Sequence, residues 1–161
     1  MEGDIKIALA GGGGADDSRL LDAVFASWIG AQGNLLYLPV ALRGIRSFES
    51  CFEWITKTFA PLQVTRITLW TDLTEHKASE LEQFDGVYIG GGNTYSLLAE
   101  LIHSGFDRHL KAYARAGGVI YGGSAGAVVL GRDIRTVSHF DRNHIGLLET
   151  DCLDLAQGYA I

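Results

Sequence analysis

The serine in Gly122-Gly123-Ser124-Ala125-Gly126 is the group in this chain best placed for covalent chemistry. The stretch reads Gly-x-Ser-x-Gly. It follows the strand-like run Gly118-Val119-Ile120-Tyr121 and precedes the helix-compatible run from Ala125 to Leu130. A serine on a sharp strand-to-helix turn needs glycines beside it, because the backbone is strained and neighbouring elements pass close. Such a turn lifts the hydroxyl above a sheet and aims the following backbone N–H groups at the atom it attacks. The chemistry implied is acyl transfer with Ser124 as nucleophile. The plainer alternative is a serine that only packs a helix start, and the position between strand and helix favours the nucleophile.

Two further glycine runs follow strand-like segments: Gly11 to Gly14, and Gly90-Gly91-Gly92. All strands of a parallel sheet end on one rim, where open α/β sheets bind ligands, so the three runs are expected around one crevice. There the N–H of Gly92 would face Ser124 and, with the N–H of Ala125, form an oxyanion hole. Gly91, Asn93 and Gly123 would line the site. Asn93 serves equally as a helix cap. Gly11 to Gly14 reads first as a tight turn packed against the site and second as a phosphate-binding turn. The second reading lacks a Gly-Lys-Ser/Thr ending, and Asp16 stands where the last glycine of Gly-x-Gly-x-x-Gly belongs.

Stepping along the chain, apolar strands alternate with helices. Strands are expected at 5–10, 34–40, 64–70, 86–89 and 118–121. Helices are expected at 18–30, with Leu20, Leu21, Val24, Phe25 and Trp28 at helical spacing, and at 47–59, with Phe48, Phe52, Ile55 and Phe59 on one side. A short polar helix at 75–84 and a helix over 94–116 broken at Gly105 complete the set. This order implies an α/β fold with a doubly wound, mostly parallel, flavodoxin-like sheet covered on both faces. Residues 133–137 and 159–161 read as further strands. No linker or internal repeat interrupts 1–161, which reads as one domain.

Composition narrows the function classes. The 161 residues are 47% hydrophobic with a formal charge of −6, which supplies a core but no basic stripe for nucleic acid or an anionic membrane. The acidic start Met1-Glu2-Gly3-Asp4 is unlike a signal peptide, and no apolar run approaches the roughly 20 residues that span a bilayer. A cytoplasmic protein without a membrane partner is expected. Cys51 and Cys152 have no metal-ligand spacing and read as buried thiols. No metal site or cofactor is implied.

Tyr88-Ile89-Gly90-Gly91-Gly92-Asn93-Thr94-Tyr95, then Ile120 to Ala127, then Ile134-Arg135-Thr136, together resemble the peptidase S51 family. That family includes aspartyl dipeptidase (peptidase E) and cyanophycinase and has a class I glutamine-amidotransferase-like fold. The resemblance covers essentially the whole chain. It implies a serine peptidase that hydrolyses small aspartyl peptides through an acyl-enzyme, with Ser124 as nucleophile and the Gly92 and Ala125 amides on the oxyanion.

Two departures stand out. Gly123 occupies a place where the family usually has a bulky residue, which is expected to loosen the pocket wall. The family's catalytic histidine lies in an Asn/Cys-Pro-His-Tyr/Phe motif just after a strand like Tyr159-Ala160-Ile161. The chain is therefore expected to be truncated before that motif, impaired in activity, and prone to form a homodimer through uncovered sheet. Within 1–161, His139 is the first candidate base and His144 the second, while His76, His103 and His109 fall away from the rim. The rival functions are a non-catalytic fold member binding a small acidic ligand or a partner, and an amidotransferase-type domain. The latter is weaker, because that class uses cysteine at the elbow.

Overall fold

The computed structural model describes residues 4–161; the acidic start at Met1-Glu2-Gly3 lies outside them. Five strands form one sheet: β1 (Lys6–Ala10), β2 (Asn34–Leu38), β3 (Arg66–Leu69), β4 (Gly86–Ile89) and β5 (Val119–Gly123). Their order is β1-β5-β4-β2-β3, and every pairing is parallel. The α/β reading holds. Helices α1 (Ala15–Ile29) and α2 (Phe48–Phe59) cover one face, where Phe25, Ile29, Ile55 and Phe59 meet Leu35, Val119 and Tyr121. The other face is covered by α3 (Thr94–Ser104), α4 (Phe106–Arg115) and α5 (Ala125–Leu130), which bury Leu98, Leu110 and Val129 against Leu36, Val87 and Ile120. Strands buried on both faces carry continuous apolar runs, and β4 and β5 are buried at every position.

Several elements differ from the sequence reading. Helix α1 turns residues 22, 25, 26 and 29 inward, leaving Leu20 (81% exposed), Val24 and Trp28 facing out. Of the residues at helical spacing, Phe25 and Leu21 do pack inward, and the polar Asp22 joins them through the Tyr121 hydroxyl. In α2 the buried set is Cys51, Ile55 and Phe59, with Phe52 outward. The polar helix expected at 75–84 is instead two 3₁₀ segments, Leu73–Glu75 and Ala78–Gln83.

No strands form at 133–137 or 159–161. Arg135–Val137 is a 3₁₀ turn, Asp133 makes one isolated antiparallel bridge to Asp151, and the Tyr159 carbonyl accepts a single bond from the Arg132 N–H. Asp133 organises this region. Its carboxylate is buried and accepts from the Arg135 backbone N–H (3.0 Å) and from the Arg135 guanidinium at 3.1 and 3.0 Å.

Those Arg135 bonds pull the Asp133 pKa down to about 2. A carboxylate held below its unfolded value of about 3.9 stabilises the fold above that pH, and the contribution is lost as pH falls toward 2. Thermal unfolding is expected to drop between about pH 4 and 2, with a smaller drop in Asp133→Asn. Equal acid sensitivity of the two proteins would refute this role.

Candidate active site

Ser124 links β5 to α5 with φ 51° and ψ −114°, a backbone conformation that side-chain-bearing residues rarely adopt. Its N–H donates to the Ala10 carbonyl (2.9 Å), tying the turn to the end of β1. Its carbonyl accepts from the N–H groups of Ala127 and Val128 (2.9 and 3.1 Å), starting the helix. Residues 119–123 and 125–131 are all buried, while Ser124 is exposed. The turn therefore presents one polar side chain above an apolar base. Gly126 permits it by close approach, since a Cβ there would stand 2.1 Å from the Ile89 carbonyl oxygen.

The β4 turn reaches the same place. A Cβ on Gly91 would lie 3.2 Å from Ser124 Cβ and 3.7 Å from its Oγ. Gly92 has φ 139° and backs onto Ala41, whose carbonyl oxygen would be 2.2 Å from an added Cβ. Among the described residues, the N–H groups of Gly92 and Ala125 donate to no backbone carbonyl or side chain. Ala125 is the first residue of α5, where backbone N–H groups have no intrahelical partner, and Gly92 is half-buried in the turn that packs against Ser124.

All three glycine runs meet here. Gly11 to Gly14, Gly90 to Gly92, Gly123 and Ser124 line one cavity of about 680 Å³. The first run acts as a turn against the site: the Gly14 N–H donates to the Asp17 carboxylate at 2.8 Å, so the α1 N-terminus is capped by its own chain. Asn93 and Ala125 are not among the lining residues. The Asn93 side chain instead caps α3 through the Ser96 N–H (3.0 Å) and donates to the Arg142 carbonyl (2.9 Å). His139 is exposed on the loop after Val137 and does not line the cavity; nor do His76, His103, His109 or His144.

The cavity floor went unread in the sequence. Tyr37, Tyr88 and Tyr121 sit in register on β2, β4 and β5, on the face toward α1 and α2. The signal was present: each tyrosine stands two residues before Pro39, Gly90 or Gly123, so side-chain alternation aligns all three below the rim. The Tyr88 and Tyr121 rings stack at 4.4 Å, and Tyr37 meets Tyr88 edge-on at 5.5 Å. The Tyr121 hydroxyl donates to buried Asp22 at 2.7 Å, and Ser18 donates to the same carboxylate at 2.9 Å. Burial pushes all three phenols well above the ordinary tyrosine value, with Asp22 adding to the rise at Tyr121, so they stay neutral.

Gly123 has a specific neighbour. A Cβ there would stand 2.9 Å from the Tyr88 hydroxyl, which fills the space where a side chain would begin.

Tyr121→Phe is expected to destabilise the fold by about 1–3 kcal/mol, because Asp22 would keep only one partner in a buried place. Urea unfolding measures this, and an unchanged midpoint would remove Asp22 from the account of the floor.

Among the described residues no group of three or more His, Cys, Asp or Glu side chains is arranged to hold a metal ion, and no helix is long and apolar enough to cross a membrane. Cys51 and Cys152 are both free and buried.

The sequence profile described as Peptidase family S51 matches residues 7–161. An uncharacterized peptidase of Listeria innocua is 35% identical over 80 residues, covering 50% of this chain and 38% of that protein. One from Listeria monocytogenes is 31% identical over 96 residues, covering 58% and 47%. A pyridoxal 5′-phosphate synthase subunit PdxT from Anoxybacillus flavithermus is 33% identical over 73 residues, covering 45% and 36%. The chain thus spans less than half the length of these relatives. Among solved structures, a candidate peptidase E from Listeria monocytogenes EGD-e superposes with a TM-score of 0.77 at 24% identity, covering 92% of this chain and 74% of that one. A peptidase from an acI-B1 Actinobacterium gives 0.69 at 16% identity, covering 93% and 64%. These two share the fold. With a family profile spanning 155 of its 161 residues, from 7 to 161, this chain belongs to peptidase family S51.

Proposed function

We propose that this chain carries the nucleophile and oxyanion donors of a serine peptidase acting on small aspartyl peptides. Ser124 Oγ attacks the scissile carbonyl, the amine leaves with a proton, and water then hydrolyses the Ser124 ester. The N–H groups of Gly92 and Ala125 hold the oxyanion of each tetrahedral intermediate. The observation that carries this reading is the exposed Ser124 on a strained turn, near two backbone amides that have no partner among the described residues. Strain of this kind persists only where surrounding structure over-determines it, and it concentrates at reactive sites.

Serine needs a base to be an effective nucleophile. Among the described residues no histidine lines the cavity, and this favours a second reading: a fold member that binds a small acidic ligand without turnover. A fluorophosphonate probe separates the two. Covalent labelling is expected, mapped to Ser124 by mass spectrometry and absent in Ser124→Ala. Failure to label the native protein would leave the binding reading in place of the peptidase.

A further inference from the structure

The turn that carries the Gly92 N–H is held at its two ends by different parts of the chain. Upstream, the Gly90 N–H donates to the Leu38 carbonyl at 3.0 Å. Downstream, the Thr94 N–H donates to the Asp141 carboxylate at 2.8 Å, and the Asn93 side chain donates to the Arg142 carbonyl at 2.9 Å. Gly91 and Gly92 lie between these anchors, and among the described residues neither of their N–H groups is bonded. Glycines restrict their own φ and ψ little, so the direction of the Gly92 amide depends on what grips the turn at each end.

The downstream grip is unusual within this chain. Helix α3 already has a local cap, since Asn93 accepts from the Ser96 N–H at 3.0 Å. Asp141 adds a second one from 47 positions away. Among the described residues, the other helical segments whose first amides bond a side chain use one within three positions. Asp141 is itself fixed. Asp133 holds Arg135 and closes the 3₁₀ turn, and the Val137 carbonyl of that turn accepts from the N–H groups of Phe140 and Asp141, both at 2.9 Å. Beyond it, Asn143 ties off residues 143–147 by bonding the Leu147 N–H and carbonyl at 2.9 and 2.8 Å.

We propose that Asp141 is a positioning residue for this site. Through Thr94 it fixes the path of residues 92–94 and so aims the Gly92 N–H at the oxygen that gains negative charge when Ser124 attacks, a role that rests on the peptidase reading and deepens it. Asp141 does not line the cavity, so it acts through the backbone and not on the substrate. A misplacement of about 1 Å at a reacting group can cost about 100-fold in rate, so an anchor two residues from the donor is close enough to matter.

The test follows fluorophosphonate labelling of the full chain, separating the maximal rate from the half-saturating concentration, and records the Gly92 amide by ¹H–¹⁵N NMR. Asp141→Ala is expected to lower the maximal rate by about tenfold or more, to leave the half-saturating concentration within about twofold, and to shift the Gly92 resonance. Asp141→Asn keeps an acceptor oxygen and should stay within about threefold of the native rate. Asp72→Ala removes a carboxylate cap from the Leu73–Glu75 segment, away from the cavity, and should leave both the rate and the Gly92 resonance native. Asn93→Ser keeps a capping oxygen but loses the donor to Arg142; it should shift Gly92 and slow labelling, and it carries the test where Asp141→Ala does not fold. Native rates in a folded Asp141→Ala, or an equal loss in Asp141→Asn, overturn the proposal. A native chain that takes no label fails at Ser124 instead. In that case a Gly92 resonance unmoved by Asp141→Ala overturns the anchor, and a moved one upholds it.

Discussion

Ser124→Gly is expected to unfold at a higher temperature than the native protein while losing all covalent labelling. Native Ser124 is held at φ 51°, ψ −114°, where a Cβ is strained by about 1–3 kcal/mol. Glycine removes that strain and adds back about 0.5–1 kcal/mol of unfolded-state entropy. The balance is a gain of about 1 kcal/mol, or about 2–4 °C for a chain of this size. Ser124→Ala keeps the Cβ and the strain, so it should lose labelling with little change in unfolding temperature. The pair isolates strain from chemistry. If glycine lowers the midpoint, the turn is not strained at this residue and the argument from stored strain to reactivity fails.

Gly92→Ala is expected to damage both stability and chemistry. The new methyl would stand 2.2 Å from the Ala41 carbonyl oxygen and 2.7 Å from Ala41 Cβ, in a backbone conformation of φ 139° that L side chains avoid. Backbone has to move, and the atom that moves with it is the Gly92 N–H. Overpacking of this kind costs about 1–3 kcal/mol, and the φ penalty adds about 1–2 kcal/mol. Loss of one oxyanion donor typically lowers rates by about 10²–10³-fold. Gly44→Ala is the matched control, because Gly44 has φ 75° but an added Cβ meets nothing within 4 Å. That variant should show a modest loss of stability and native labelling. Native labelling rates in Gly92→Ala would remove Gly92 from the oxyanion hole.

The fold and the strand-to-helix turn at Ser124 were legible in the chain itself. Alternation of apolar strands with helices depends on local periodicity, and the parallel sheet follows from it. The three glycine runs were each placed at a strand's carboxyl end by the same reasoning, and all three line one cavity. Local patterns failed where an element's partner is distant in sequence. Asp22 is buried with a hydrogen bond from Tyr121, 99 positions away, while Leu20 on the same helix points outward. Residues 133–137 alternate like a strand, yet Asp133 draws Arg135 back across two residues and closes a turn instead.

The sequence by itself determined the strand order along the chain, the glycine turns and the identity of the serine that links β5 to α5. Each of these is written in a few adjacent residues. Tertiary structure alone decided that three tyrosines form one floor, and that of the two roles open to Asn93 in the sequence it takes the helix cap and not the cavity wall. Those outcomes depend on strand register and on which charges find each other across the fold. A chain read one window at a time contains neither.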